Sequence, residues 1–248
     1  MLAIIRLLIL IIFIIFFLFF GIIYCLLNFK NVSNVMYISR VLGLLSYLFG
    51  IKIIKIIPKE IKDYGPSIYI SNHQNNYDLI TLPNVIQKKT VTIGKKNLLY
   101  IPFFGILYWL SGNIFIDRKN HRRSYNTIIY ILNKIKKKNI SVLFFPEGTR
   151  NKGKNLKPFK SGAFYLSIIG KIPIVPICVS KTQNRIKWNR WDNGIVIIKI
   201  LPKINVNLDK KNSKNISYLS NYCFNKMKST INKLDKKVTY IENKKNKF

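Results

Sequence analysis

The sequence predicts an α/β fold carried behind an N-terminal hydrophobic helix or helical hairpin. Three observations predict it. Residues 7–27 hold no charge, short runs rich in β-branched residues recur between residues 67 and 200, and amphipathic stretches with three- and four-residue steps fall between or after them.

The 21 uncharged residues 7–27 would extend about 31 Å as a helix, close to the thickness of a bilayer's hydrocarbon core. A signal peptide has a shorter apolar region ending at a small-residue site. Here Tyr24, Cys25, Leu26 and Leu27 continue the run, so the segment reads as a retained anchor. Residues 41–51 are apolar, too short to span, and bracketed by Arg40 and Lys52, which suits a returning or interfacial helix. The expected division is residues 1–55 as membrane anchor and 56–248 as one folded domain. Lysine and arginine are dense after Lys30 and sparse before it, which places the domain on the cytoplasmic side of a cell membrane, with Arg6 as the dissenting charge.

Within the domain, strands are expected at residues 67–71, 90–93, 114–116, 141–145, 174–179 and 194–200. A helix is expected over residues 122–138, where Tyr125, Ile128, Ile129, Leu132 and Ile135 share one face. Another covers residues 217–236, with Leu219, Cys223, Met227, Ile231 and Leu234 aligned. A shorter helix-like run covers residues 79–85.

A hydrophobic content of 49% excludes a disordered polyelectrolyte, and the net charge of +33 would suit a phosphate-bearing partner. Lysine, isoleucine and asparagine crowd nearly every segment, however, so the charge alone does not name nucleic acid. Cys25, Cys178 and Cys223 are far apart in apolar surroundings, which indicates neither a disulfide framework nor a zinc site.

Chemistry-bearing residues gather in three blocks. Ser71-Asn72-His73-Gln74-Asn75-Asn76-Tyr77-Asp78 joins a strand to a helix, a usual place for catalytic groups. An imidazole takes a proton at neutral pH, and a carboxylate on its other nitrogen fixes the tautomer. Five residues of regular helix would point His73 and Asp78 about 140° apart, so the loop must fold back for them to meet; otherwise Asp78 is a helix cap and His73 an ordinary loop residue. Phe145-Pro146-Glu147-Gly148-Thr149-Arg150 follows a strand and offers a guanidinium fork for phosphate, or a surface turn with a weak ion pair. Gly112-Asn113-Ile114-Phe115-Ile116-Asp117-Arg118 ends a short strand in an acid and a base.

Taken in order with Val175-Pro176-Ile177, and with Lys96-Asn97-Leu98 through Ile101-Pro102-Phe103-Phe104-Gly105 between the first two, these blocks resemble the 1-acylglycerol-3-phosphate acyltransferase family over roughly residues 51–201. The resemblance implies a single glycerolipid-acyltransferase-like domain with a mixed sheet flanked by helices. It implies transfer of an acyl group from acyl-CoA or acyl carrier protein to the 2-hydroxyl of 1-acyl-sn-glycerol 3-phosphate, giving phosphatidic acid, at the bacterial inner membrane. His73 would be the base and Asp78 its partner. Lys96, Arg118 and Arg150 would meet the acceptor's phosphate, with Glu147 and Gly148 shaping the loop. Lys154, Lys157, Lys160 and His121 read as surface. No metal or cofactor is implied, and no nucleic acid. The absence of Gly-x-Ser-x-Gly and of a polar-loop cysteine agrees with direct attack by the acceptor hydroxyl. The same chemistry on glycerol 3-phosphate or a lysophospholipid is the alternative, and a non-catalytic basic membrane-tethered binder a remote one.

Overall fold

The computed structural model describes residues 1–116, 121–206 and 212–245. Seven strands form one sheet: β1 (Lys52–Ile56), β2 (Ile68–Ser71), β3 (Thr90–Lys95), β4 (Ile114–Ile116), β5 (Ser141–Phe144), β6 (Ile174–Val179) and β7 (Ile195–Ile200). Their spatial order is β1-β7-β6-β2-β5-β3-β4. Every neighbouring pair is parallel except β6 and β7, so the sheet is mixed. All of β2 and β6 is buried, and these strands read as unbroken apolar runs because helices cover both faces.

On one face lie α6 (His121–Lys138), α7 (Gly162–Gly170) and α8 (Ser213–Lys245), whose Ile131, Ile135, Phe164, Leu166, Cys223 and Met227 join the core beneath β2, β5 and β6. On the other lie α2 (Asn34–Gly43), α3 (Leu45–Leu48) and the short α4 (Asp78–Thr81). Burial pushes the thiols of Cys178 and Cys223 up to about 12, which withholds the nucleophilic thiolate at neutral pH.

Several expectations need correction. The helix expected as an anchor is α1, Leu2–Leu27, which starts five residues before the uncharged stretch and carries Arg6 inside it. The expected helix over residues 41–51 is instead α2 and α3, and it ends earlier because β1 begins at Lys52. The boundary drawn after residue 55 therefore falls inside a strand that pairs with β7. Lys52-Ile-Ile-Lys-Ile56 lacks clean alternation, which hides it from a reading of hydrophobic period. The run 79–85 breaks into α4 and a 3₁₀ turn, Leu82–Val85, because Pro83 donates no backbone hydrogen bond. The last helix is longer than expected, reaching Lys245.

α1 and α2 form an antiparallel hairpin, with Tyr24 edge-on to Tyr37 and Ile38 beneath Gly21. Gly21 also meets Leu107 of α5 (Phe104–Leu110). Arg6, about 22 Å away along the helix, is tied to Leu48 and to residues 187–191. The domain thus touches α1 near both ends, while Ile4, Leu8, Ile12, Ile15 and Phe19 on its outer side stay exposed.

Candidate active site

Because β2, β5 and β6 are adjacent and parallel, the loops that follow them emerge at the same edge of the sheet. The loop after β2 carries residues 72–78, the loop after β5 carries residues 145–151, and the end of β6 runs into residues 180–183.

The loop after β2 does fold back. His73 Nδ1 lies 2.7 Å from Asp78 Oδ2, and the same oxygen accepts the backbone N–H groups of Gln74 at 2.7 Å and Asn75 at 3.2 Å. Asp78 opens α4 without capping it; its carboxylate turns toward the preceding loop. Its Oδ1 is buried and accepts no hydrogen bond among the described residues. Phe145 stacks on the imidazole, with ring centroids 4.1 Å apart. With Nδ1 donating to the carboxylate, the lone pair of His73 lies on Nε2. That atom makes no hydrogen bond among the described residues, and the side chain remains 20% exposed. An imidazole held in this way is able to take a proton at Nε2.

The spacer residues hold this geometry. Asn72 pairs its side-chain amide with both backbone groups of Val179, each at 2.9 Å. Gln74 donates to Ser180 O at 2.9 Å and accepts from Thr182 N at 2.9 Å. Asn75 donates to Thr182 Oγ1 and accepts from Tyr77 N. Four side-chain amides in the five residues 72–76 were the available signal, since Asn and Gln in loops commonly bond to backbone.

Glu147 is only 3% exposed and points inward rather than to a substrate. Its Oε1 accepts from His73 N at 2.7 Å, and its Oε2 accepts from Lys157 N at 3.0 Å and from Asn151 Nδ2 at 3.2 Å. Asn151 N also donates to His73 O at 2.8 Å. The carboxylate is therefore a brace that ties its own loop to the His73 loop, and its bonds go to protein groups on both loops. Burial pushes Glu147 above the usual carboxylate range, opposed by the hydrogen bonds from His73, Lys157 and Asn151. Glu147→Gln would aim an amide N–H₂ at a backbone donor. It is expected to cost about 1–3 kcal/mol of stability, read from thermal unfolding. A carboxyl whose folded value is raised loses its stabilising contribution as pH rises through that value. The variant's deficit should therefore be largest in mild acid and narrow toward neutrality.

Gly148 takes φ +72, and a Cβ there would collide with the stem of Lys160. Lys160 N donates to Pro146 O at 2.8 Å, and Lys157 Nζ donates to Arg150 O at 2.9 Å. Both lysines, expected as plain surface, thus fold against the Glu147 loop. Arg150 is exposed at that loop's end, and its guanidinium has no partner among the described residues. Lys96 is exposed just past β3, two strands and about 10 Å across the sheet from β2. Arg118 and the side chain of His121 lie outside the described residues.

A family model described as Acyltransferase matches residues 52–180, from the first strand to the residues that hold Gln74. The chain belongs to the acyltransferase family. Relatives within it include the 1-acyl-sn-glycerol-3-phosphate acyltransferase of Escherichia coli (strain K12), 47% identical over 204 residues that make up 82% of each chain. The protein of that name from Haemophilus influenzae is 46% identical over 200 residues, 81% of this chain and 82% of the relative. Among solved structures, the 1-acyl-sn-glycerophosphate acyltransferase of Thermotoga maritima shares the fold. It aligns with TM-score 0.64 at 18% identity, over 92% of this chain and 95% of that one. The mixed sheet flanked by helices is thus an acyltransferase fold.

Proposed function

We propose that this acyltransferase moves an acyl group from acyl-CoA or acyl carrier protein to the 2-hydroxyl of 1-acyl-sn-glycerol 3-phosphate, giving phosphatidic acid. The observation that carries the reading is the His73–Asp78 pair, oriented with Nε2 outward at the sheet edge where the loops after β2 and β5 meet. His73 Nε2 takes the proton of the acceptor hydroxyl as its oxygen attacks the thioester carbonyl. The tetrahedral adduct then expels the thiolate, which takes a proton in turn. Asp78 stabilises the imidazolium between these steps. The names of the Escherichia coli and Haemophilus influenzae relatives support the acceptor.

Arg150 meets the acceptor's phosphate, with Lys157 and Lys160 supporting its loop and Lys96 and Arg118 on the β3 and β4 side. Arg150→Ala is expected to raise KM for the acceptor about tenfold or more, with little change in KM for the donor. An effect confined to the donor would reassign the residue. The exposed apolar side of α1 lies in the bilayer, which holds the acyl chains of acceptor and product, and the domain lies on the cytoplasmic side of the cell membrane. The deciding experiment is acceptor-dependent release of thiol from acyl-CoA, and from acyl carrier protein, by membranes carrying the full chain. 1-Acyl-sn-glycerol 3-phosphate is compared there with glycerol 3-phosphate and with lysophospholipids. Activity only with one of the latter would overturn the acceptor, and none with any would overturn the reading.

A further inference from the structure

A cavity of about 390 Å³ opens at the edge of the sheet opposite the His73 site, lined by the starts of β3 and β4, by α6, and by the segment that leaves α1. Val91 and Ile114 stand at the beginnings of their strands, whereas His73 follows the end of β2. The two regions are separated by the length of the strands, about 15–20 Å.

Lys30, Lys134 and Lys138 line this cavity, and among the described residues its lining contains no carboxylate. Two of them already lie on aromatic faces. Lys30 Nζ sits 4.0 Å from the Trp109 ring centroid and 4.8 Å from that of Phe29, and Lys134 Nζ sits 5.3 Å from that of Tyr130. Ring faces offset part of the mutual repulsion of gathered cations, and a bound anion would offset far more. Position narrows the anion. Lys30 lies three residues beyond the end of α1, its backbone N–H bonded to Leu110 O, and Trp109, Phe29 and Tyr130 are all exposed. Aromatic rings and lysines at the end of a long apolar helix occupy headgroup depth in a bilayer, and basic pockets there take lipid phosphates.

We infer that the Lys30–Lys134–Lys138 cavity binds the phosphate of an anionic phospholipid headgroup. The occupied cavity fastens the C-terminal end of α1 to the membrane surface, while Arg6 fastens the other end to the domain. Bilayer contact then extends from the exposed side of α1 to the sheet edge where β3 and β4 begin. The inference rests on reading α1 as membrane-embedded, and failure of that reading would show as weak binding to neutral vesicles too.

The test uses the full chain and vesicles of phosphatidylcholine, alone or with phosphatidylglycerol. The combined Lys30→Gln, Lys134→Gln, Lys138→Gln variant is compared with a variant that loses the same charge elsewhere, at Lys228, Lys233 and Lys236 of α8. Wild type should prefer the anionic vesicles. The cavity variant should lose about tenfold of that preference, the control less than about threefold, with neutral-vesicle binding and acyl transfer in detergent unchanged. Should the triple variant fold poorly, Lys134→Gln with Lys138→Gln is expected to lose about threefold in the same direction. Equal losses in the cavity and control variants, or no preference in wild type, would overturn the inference. So would suppression of the wild-type preference equally by chloride and by inorganic phosphate at matched ionic strength, since the attraction would then be diffuse charge and not a site for phosphate.

Discussion

His73→Ala is expected to lower kcat by about a thousandfold while the protein still accumulates in membranes and binds vesicles. The imidazole is a surface-reaching group, so its removal opens no large cavity. Its backbone keeps the bonds to Glu147 and Asn151. What disappears is the acceptor for the substrate's proton. Asp78→Asn separates charge from orientation. An amide oxygen in place of Oδ2 can still accept from Gln74 N, Asn75 N and the ring, but it carries no charge to stabilise the imidazolium. The amide N–H₂ would occupy the position of Oδ1, which is buried without a partner among the described residues. About a hundredfold loss in kcat is expected, with acceptor KM nearly unchanged. Thiol-release kinetics read both. Wild-type turnover in His73→Ala would end the base assignment, and full activity in Asp78→Asn would show that the carboxylate's charge is idle.

The spacing of His73 and Asp78 was legible because five residues of loop are enough to turn a side chain back on its neighbour. What turns it was not. Asn72, Gln74 and Asn75 are held by residues 179–183, more than a hundred positions along the chain, and only the order of strands in the sheet brings those groups beside them. Glu147 illustrates the same limit. A glutamate beside a glycine in a loop suggests a part in the loop's shape, yet the partner that holds it, a histidine backbone amide, comes from another loop. Long apolar runs such as those of β2 and β6 announce themselves, because a strand buried on both faces needs no alternation. The edge strand β1, with Lys52 and Lys55 in a five-residue segment, does not.

Arg6 is the clearest case of a residue whose role only the fold supplies. Counted along the sequence it is a stray charge in a hydrophobic helix, yet it is 1% exposed. Its Nε donates to Leu48 O at 2.9 Å, and one Nη donates to the carbonyls of Trp188 and Arg190, both at 2.7 Å. The guanidinium carbon lies over the rings of Phe49 and Trp191, 5.6 and 5.9 Å from their centroids. The backbone leaves no slack around this cluster. Gly50 adopts φ +62 with a Cβ position that would collide with Trp191 O, and Asn193 Nδ2 donates to Phe49 O at 2.8 Å. Arg6→Ala would leave the part-buried carbonyls of Leu48 and Trp188 without a donor, while Arg190 O keeps the bond from Asn193 Nδ2, so a loss of about 2–4 kcal/mol is expected. Arg6→Lys should recover only part, because an ammonium lacks the planar fork that meets several acceptors at once. The loop itself contains trypsin sites at Lys187 and Arg190. Cleavage there should accelerate at least about tenfold in Arg6→Ala, and less in Arg6→Lys, if local opening follows the lost bonds. Equal cleavage rates in all three proteins would mean that the loop holds its shape without the guanidinium. Phe49 touches both Trp188 and Tyr77, and Tyr77 adjoins Asp78, so loosening this loop should also cost activity, by less than the loss of His73.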